Sequence, residues 1–475
     1  MRAHFLLAAL LPVCAANAQE LREVDHVLHL QTPGQTAGVL VIARPPFASQ
    51  KLFGLDLAFD LKDVVAVLPF ATDAGGAFQL PYPKGIRLHA VLQAFWAKGA
   101  ALEASNGLLL RRNLYAGWAN GPSNDPKHWP IGVWLQQPRN ATRFKALGVN
   151  LYVGLHNGPT TDQLTDLKNA GIPAIAYQTS TSLLSTWASV MQGWTQMDEP
   201  DNAQWNESKQ TYDPPVLPSV IVGRYDAMRK TDPTRPVYLN VGAGVADEKW
   251  VGRGTRTGHL EDYPEYAKGC DIFAFDYYPV ANPTRSEYQG KLELVGIGVR
   301  RMVGWCKEKP AWNWIEAGGV NNGIRPTPDQ IRTEVWMSIV CGASSTMYFC
   351  HEFTPKFDDA VPLSDPKIGA ALTAINGRLA GLAEVLNGPA VQGEVSVSAP
   401  VEIAFLHKVF GGKHWLFAVN MTGKSASASF TFTSRAKATV TVLDEARSLE
   451  LAGGKLTDSF AAYATHLYEL GPEKP

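Results

Sequence analysis

Two glutamates stand at the ends of apolar, tryptophan-containing segments that have the length of buried strands. Glu199 closes the segment 190–199, and Glu316 closes the segment 310–316. A carboxyl group at the top of an apolar strand is costly to bury unless its raised pKa serves a reaction. Capping of a following helix is the alternative role for Glu199. Together the two positions predict a pair of carboxyl groups that performs acid–base or nucleophilic chemistry.

The elements that must position this pair begin near residue 130, where strand-like and helix-like segments start to alternate. Near-continuous apolar strands separated by helices indicate a parallel sheet covered by helices and closed into a (β/α)8 barrel. The predicted strands are 131–135, 150–155, 172–177, 190–197, 237–240, 272–276, 310–315 and 345–349. The ends of such strands converge on one mouth, so we expect Glu199 on strand four to face Glu316 on strand seven.

The segments on either side of the barrel have short alternating runs punctuated by Gly and Pro, which is typical of β-sandwiches. We therefore predict an α/β fold, a (β/α)8 TIM barrel flanked by N-terminal and C-terminal β-sandwich domains. The predicted parts are a signal peptide at 1–18, a first sandwich at 19–120, the barrel at 121–388 and a second sandwich at 389–475.

The start of the chain has the pattern of a secretory signal. Arg2 and His4 precede the apolar run 5–13, and Ala16 and Ala18 form a small-x-small cleavage site. Lipidation at Cys14 is the alternative that the same segment leaves open. We expect a secreted or periplasmic protein that has no membrane segment once the signal is removed.

The charge pattern and the metal-ligand residues exclude several functions. The net charge is −1 and no basic stripe occurs, so nucleic acid is not an expected partner. The histidines are sparse and irregularly placed, so we expect no catalytic metal and no cofactor. The cysteines after the signal lack metal-like spacing, and Cys270 and Cys306 could form a disulfide or remain two free thiols.

Further polar and aromatic side chains fall at the predicted strand ends. Such a lining is what a sugar needs, because hydroxyl groups require hydrogen-bond partners and sugar rings pack on aromatic faces. The expected lining residues are Trp134 and Gln136 on strand one, His156 after strand two, Asn240 on strand five, Tyr277 after strand six, Trp314 on strand seven and His351 after strand eight. A carbohydrate is therefore the expected partner. Hydrolysis of a glycosidic bond requires one protonated and one ionised carboxyl group.

On these residues the barrel segment, roughly 130–385, resembles the retaining glycoside hydrolases of clan A. Glu199-Pro200 matches the usual Asn-Glu-Pro at two of three positions, and Glu316 matches the strand-seven glutamate. The resemblance implies that Glu199 is the acid/base and Glu316 the nucleophile of a double displacement. It further implies a β-glucan or β-galactan substrate, and Tyr277 as the group that keeps the nucleophile ionised.

One position departs from that family, because Asp198 stands where it usually has the asparagine that binds the sugar 2-hydroxyl. The Asp198-Glu199 pair is also similar to the substrate-assisted hexosaminidases, in which the aspartate orients a 2-acetamido group that acts as the nucleophile. This mechanism and a non-catalytic carbohydrate-binding barrel remain the alternatives. The sequence leaves the sugar, the linkage, the endo or exo action and the oligomeric state open.

Overall fold

The chain was analysed as a computed structural model, which divides into two compact units. One unit comprises residues 1–117 and 387–393, and the other comprises 118–386 and 394–475. The predicted signal at 1–18 lies outside the described residues. The structure describes residues 21–24, 27–32, 35–43, 50–52, 55–57, 64–74, 76–81, 90–98, 101–105, 108–110, 114–115, 117–306, 309–391 and 393–471.

The described part of the first unit consists of antiparallel β-structure. Its strands are β1 (Leu21–Val24), β2 (Val27–Gln31), β3 (Ala37–Ala43), β4 (Gln50–Leu52), β5 (Leu55–Leu57), β6 (Val64–Ala71), β7 (Ala77–Pro81), β8 (Ala90–Lys98), β9 (Ala101–Ala104) and β10 (Leu108–Leu110). One sheet has the order β1-β2-β7, a second has the order β10-β8-β3-β6 with β9 added to β8, and β4 pairs with β5. Leu28 and Leu30 of the first sheet share a core with Leu40, Phe70 and Trp96 of the second, as a sandwich requires.

The second unit opens with the predicted barrel. Its strands up to residue 349 are β11 (Ile131–Trp134), β12 (Leu151–Val153), β13 (Ala174–Ala176), β14 (Met191–Thr195), β15 (Gln204–Asn206), β16 (Thr211–Asp213), β17 (Val237–Val241), β18 (Ile272–Asp276), β19 (Ala311–Glu316) and β20 (Thr346–Phe349). Strands β11 to β14 and β17 to β20 form a closed parallel barrel, and β15 and β16 form a separate hairpin after strand four. The eight-stranded barrel predicted from the sequence is therefore confirmed.

Helices cover the barrel on most of its connections. They are α1 (Ala141–Ala146), α2 (Thr161–Ala170), α3 (Pro218–Thr231), α4 (Tyr263–Tyr266), α5 (Glu293–Cys306), α6 (Pro328–Cys341), α7 (Val361–Ser364) and α8 (Pro366–Leu386). Local sequence explains where some of them begin, because Thr160 and Thr327 each form a capping box with a glutamine three residues later. The connection between β13 and β14 departs from the pattern, since it carries only a 3₁₀ turn at Ser185–Trp187.

The C-terminal part of the second unit is one antiparallel sheet. Its strands are β21 (Val395–Ser398), β22 (Ile403–Phe410), β23 (Lys413–Asn420), β24 (Ala426–Phe432), β25 (Lys437–Val442), β26 (Arg447–Ala452), β27 (Lys455–Phe460) and β28 (Thr465–Leu470), in the spatial order β21-β24-β27-β26-β25-β28-β23-β22. The sheet packs on helix α6 of the barrel, where Trp336 and Phe417 lie 5.2 Å apart between ring centroids. The second predicted β-domain is thus joined to the barrel by an apolar contact.

The structure also bears on the pairing of Cys270 with Cys306 and on membrane-spanning helices. Cys270 and Cys306 are both buried free thiols, so the alternative without a disulfide applies. None of the described helices combines the length and the apolarity that crossing a bilayer requires.

Candidate active site

A cleft of about 470 Å³ opens where the barrel strands end. Its polar side comes from strands four to six and the loops after them, and its aromatic side comes mainly from strands one, seven and eight. The lining comprises Asp198, Glu199, Asn202, Asn240, Trp250, Asp276, Tyr277, Tyr278, Asn282, Thr284, Asn321 and the rings of Trp134, Trp314, Phe349 and Phe353. This is the end of a (β/α)8 barrel at which catalytic groups are found.

Glu199 is held at the centre of this mouth by its own backbone and by a neighbouring amide. Its φ of +42° lies in the left-handed region, which a glutamate rarely adopts. The Glu199 N–H donates to the carbonyl of Asn240 over 3.1 Å, which ties the loop after strand four to strand five. Asn202 donates from Nδ2 to Glu199 Oε2 over 2.9 Å. A strained residue with a fixed side chain is typical of a functional position.

The side chain of Glu199 lies beside that of Asp276 at the end of strand six. Burial raises the pKa of Glu199 well above its ordinary value, and the negative charges of Asp276 and Asp198 raise it further. Burial and the charge of Asp198 raise the pKa of Asp276 to about 7. The interaction of the two side chains raises the pKa of Glu199 and lowers that of Asp276, so it favours the proton on Glu199 and the charge on Asp276. The raised pKa thus favours the protonated form of Glu199 in the cleft.

Asp198 lies beside this pair and is anchored by an amide. Asn240 on strand five reaches Asp198 Oδ1 with Nδ2 over 3.0 Å, and Asp276 Oδ1 over 3.4 Å. The Asp198 side chain is open to the cleft on its other side. Burial by the surrounding protein raises its pKa to about 6, while the hydrogen bond from Asn240 opposes that rise. Asp198 is thus a positioned acceptor that faces the space a ligand would occupy.

A buried layer below the cleft holds the loop after strand four in place. Asp201 is fully buried and accepts hydrogen bonds from the Gly242 N–H over 2.9 Å and from the Tyr263 hydroxyl over 3.0 Å. A Cβ at Gly242 would stand 2.8 Å from Glu199 Oε1 and 2.7 Å from Asn202 Nδ2. Gly242 is therefore required for the close approach that places the Glu199 carboxyl group.

The aromatic side of the cleft is as well supported as the polar side. Trp134 and Trp314 meet edge to face with ring centroids 5.3 Å apart. Trp314 also donates from Nε1 to the Tyr238 hydroxyl over 2.8 Å, which fixes the plane of its ring. On the polar side Trp250 donates to Asn202 Oδ1 over 3.0 Å, and this orients the amide that contacts Glu199.

Glu316, the predicted nucleophile, does not line this cleft. Its side chain is fully buried, and its two oxygens accept hydrogen bonds from the N–H groups of Val280 at 2.8 Å and Ala281 at 2.5 Å. On its other side it contacts Glu334 of helix α6, and burial raises the pKa of Glu316 to about 7. The structure thus encloses Glu316 beside the loop after strand six, and the pairing of Glu316 with Glu199 across the mouth stays a prediction.

The glycines after Glu316 explain this placement. A Cβ at Gly318 would stand 2.7 Å from the His351 carbonyl oxygen. Gly319 likewise approaches Glu352, whose Oε2 accepts its N–H over 3.0 Å. The two glycines thus let the chain pack closely against the loop after strand eight, and Glu316 is enclosed between that packing and the loop after strand six.

The other predicted lining residues divide into two groups. Trp134, Asn240, Tyr277 and Trp314 line the cleft together with Asp198 and Glu199. The Tyr277 hydroxyl lies 3.3 Å from Thr284 Oγ1 and not at Glu316, so its expected partner is corrected.

Three predicted residues lie away from the cleft. Gln136 is buried and donates to the Asp359 carbonyl, because a buried amide requires a partner. His156 is exposed on the loop after strand two. His351 stacks on Phe353 at 6.0 Å, and burial lowers its pKa. All three residues follow their strands. Side chains there no longer alternate between the two faces of the barrel, so the strand pattern does not predict their direction.

Asp276 is the main residue that sequence reasoning missed. It carries the same signal as Glu199, a carboxyl group at the end of an apolar strand, and it follows the inward-facing Ala274 by two residues. Asn202 and Tyr278 were also missed, because both lie in loops where no periodicity marks the direction of a side chain.

Two other features bear on the choice of site. A groove of about 700 Å³ lies between helix α6 and the C-terminal sheet, but its charged groups pair with each other, as Arg378 does with Asp444. Within the described ranges, the one group with the geometry of a metal site is Glu394, His407 and His414 in the C-terminal sheet. The barrel cleft is therefore the candidate active site.

Comparison with protein-family models finds no match, and comparison with curated proteins finds none either. Solved structures with a similar fold include α-galactosidase I from Mortierella vinacea (13% identity, TM-score 0.41, covering 74% of this chain and 98% of that chain). A family GH42 β-galactosidase from G. stearothermophilus has 8% identity and a TM-score of 0.46, covering 72% and 98%. A GH30 endoxylanase from Clostridium papyrosolvens has 10% identity and a TM-score of 0.37, covering 72% and 96%. At these identities and scores the matches carry no argument on function, although all three are named as glycoside hydrolases.

Proposed function

We propose that this protein is a glycoside hydrolase in which Glu199 is the general acid. The observation that carries the proposal is the pair of carboxyl groups of Glu199 and Asp276, which lies inside an aromatic-lined cleft at the barrel mouth and raises the pKa of Glu199. A carboxylic acid kept protonated near neutral pH can donate to the oxygen of a leaving sugar, and paired carboxyl groups with separated pKa values are how enzymes obtain such an acid. The tryptophans supply faces for sugar rings.

The group that attacks the anomeric carbon follows from what the cleft does and does not contain. Glu199 and Asp276 are direct neighbours, whereas an acid and a nucleophile that act on the two sides of one glycosidic bond stand about 5–5.5 Å apart. Glu316 lies outside the cleft lining and is bound to two backbone N–H groups. The pair that remains is Asp198 and Glu199, which supports a substrate-assisted reaction on a sugar with a 2-acetamido group.

The proposed reaction has two steps and retains the anomeric configuration. Glu199 gives its proton to the leaving oxygen while the acetamido carbonyl oxygen bonds to the anomeric carbon, which breaks the glycosidic bond and forms a cyclic oxazolinium ion. Asp198 accepts the acetamido N–H and stabilises the positive charge that develops there. Glu199, now ionised, then takes a proton from the water that opens the ring. The signal-like residues 1–18 support export of such an enzyme to the carbohydrate it cleaves.

The test is a comparison of aryl β-glycosides that differ only at the sugar 2-position. We expect turnover of the 2-acetamido-2-deoxyglucoside or galactoside and little turnover of the corresponding glucoside and galactoside. Asp198→Asn should lose roughly 10²–10³-fold in kcat on the acetamido substrate, the size expected when one transition-state contact is removed. The readout is release of the aryl group. Circular dichroism of each variant checks that it is folded.

The opposite result identifies the other mechanism. If the glucoside or galactoside is the better substrate, or β-glucan or β-galactan releases reducing ends while Asp198→Asn stays active, the enzyme uses a double displacement. If the protein binds a polysaccharide but releases no product from any substrate, it is a non-catalytic carbohydrate-binding barrel, and the glycosidase proposal is overturned.

The negative charge of Asp276 beside Glu199 predicts a shift in the pH profile. Asp276→Asn removes the largest charge that raises the pKa of Glu199, so Glu199 loses its proton at a lower pH in the variant. We expect the alkaline limb of kcat/KM to move to lower pH, since activity requires protonated Glu199 in the free enzyme. The measurement is the pH dependence of kcat/KM for wild type and variant.

A surface aspartate provides the control for that experiment. Asp162 lies in the exposed first turn of helix α2, so Asp162→Asn should leave the alkaline limb unchanged. An alkaline limb that stays in place in Asp276→Asn would show that Asp276 does not hold the proton on Glu199.

A further inference from the structure

A second group of metal-ligating side chains lies in the C-terminal sheet, away from the barrel mouth. One nitrogen from each of His407 and His414 and one oxygen of Glu394 lie within 4.8 Å of one another. The three residues belong to the second unit, and they come from the two ends of the sheet order, since Glu394 directly precedes β21 and His407 is on β22. The group is therefore a feature of the tertiary structure and not of local sequence.

The register of the hairpin β22–β23 explains how the two histidines meet. His407 pairs with Leu416 and Val409 pairs with His414, so the two histidines are diagonal neighbours on one face of the sheet. His407 Nε2 and His414 Nδ1 are 3.0 Å apart. Glu394 completes the group, with Oε1 3.7 Å from His414 Nδ1 and Oε2 3.9 Å from His407 Nδ1.

His407 has an unusual environment for a residue with only a structural role. Its side chain is fully buried, and Nδ1 has no hydrogen-bond partner. A buried polar atom without a partner requires an explanation, and an unobserved ion is one of the standard ones.

The distances in the group are close to those of a tetrahedral zinc site. Ligand atoms bonded to Zn²⁺ at about 2.0 Å lie roughly 3.3 Å apart in that geometry. The Glu394 oxygens lie 3.7 Å from His414 Nδ1 and 3.9 Å from His407 Nδ1, the nitrogen without a partner. Two imidazoles and a carboxylate are ligands that zinc accepts, and three protein ligands leave a fourth position for water. The Glu394 and His414 side chains keep 17% and 13% exposure, so water can reach that position from their side.

We propose that Glu394, His407 and His414 bind one Zn²⁺ ion that joins the first and last strands of the C-terminal sheet. The ion would cross-link the start of β21 to the β22–β23 hairpin, which no backbone pairing connects directly. Because the ion binds the folded sheet and not the unfolded chain, its binding stabilises this part of the protein. The site is independent of the reaction proposed for the barrel.

The test uses the full-length protein after treatment with a chelator, titrated with Zn²⁺ in a calorimeter. We expect one Zn²⁺ per chain and a higher Tm in the presence of excess zinc. Co²⁺ should give the intense visible absorption of a tetrahedral site. Glu394→Gln and His414→Ala should each weaken zinc binding at least about 100-fold, since loss of a direct ligand exceeds the 10–100-fold effect of a residue that only orients one.

The variants are chosen so that misfolding does not produce the expected result. Glu394→Gln keeps the size of the side chain, and far-ultraviolet circular dichroism verifies that each variant is folded. His259→Ala is the matched control, because His259 contacts Glu261 on an exposed loop without a second histidine. That variant should bind zinc as wild type does. Wild type without stoichiometric binding, or Glu394→Gln with unchanged affinity, would overturn the proposal.

Discussion

Glu199→Gln is expected to lose about 10²–10⁴-fold in kcat on a substrate with a poor leaving group, the range that a general acid contributes. Glutamine keeps the shape of the side chain and the contact with Asn202, but it has no carboxylic proton for the leaving oxygen. The dinitrophenolate group of a dinitrophenyl glycoside leaves without protonation, so kcat on that substrate should fall much less. The measurement is a comparison of kcat for the two leaving groups in the same variant.

The control for this prediction is another glutamate near the barrel mouth. Glu207→Gln removes an exposed carboxylate after strand β15 and should leave kcat on both substrates unchanged. Equal losses of Glu199→Gln on both leaving groups would assign Glu199 a role other than proton donation. Near-wild-type activity on both would remove it from the reaction.

Glu316→Ala has its largest expected effect on stability. The substitution leaves the buried N–H groups of Val280 and Ala281 without an acceptor, and each unsatisfied donor costs about 1–3 kcal/mol. It also removes the carboxyl group whose charge raises the pKa of buried Glu334. We expect a lower free energy of unfolding in urea, while kcat per folded molecule stays within about one order of magnitude of wild type, because Glu316 does not line the cleft.

Glu265→Ala is the matched surface variant, since Glu265 is exposed and pairs only with Lys268. Its unfolding free energy should change by no more than about 0.5 kcal/mol. If folded Glu316→Ala is instead as inactive as Glu199→Gln, and added azide restores turnover as a glycosyl azide, Glu316 is the nucleophile of a double displacement. The activity, azide rescue and unfolding free energy of Glu316→Ala thus distinguish the substrate-assisted reaction from a double displacement.

The barrel could be predicted from the sequence because each of its strands is a separate apolar run. Ile272–Asp276 and Ala311–Glu316 are apolar for nearly their whole length, as strands covered on both faces must be. The same patterns placed Glu199 and Trp314 at the mouth. Where the chain is still in the strand, alternation fixes the direction of the side chain, and the prediction holds.

At the last residue of a strand and beyond it, the prediction depends on contacts that sequence does not display. Glu316 has the same parity as Trp314, yet two N–H groups from the loop after strand six bind its carboxyl group. No pattern in 310–319 reveals those donors, because they come from residues more than thirty positions earlier. Asp276, in contrast, was within reach of the same reasoning that selected Glu199.

The unequal composition of the cleft has a consequence for redesign. Proton-handling groups occupy the arc from strand four to strand six, whereas Trp134, Trp314 and Phe349 belong to strands one, seven and eight. A ring bound between the two arcs has its orientation fixed, with its polar edge toward the acids and an apolar face toward the tryptophans. Under the proposed function, we expect substitutions in the aromatic arc to alter which sugar is bound while Glu199 and Asp276 stay unchanged. The barrel in this sense separates the choice of ligand from the chemistry performed on it.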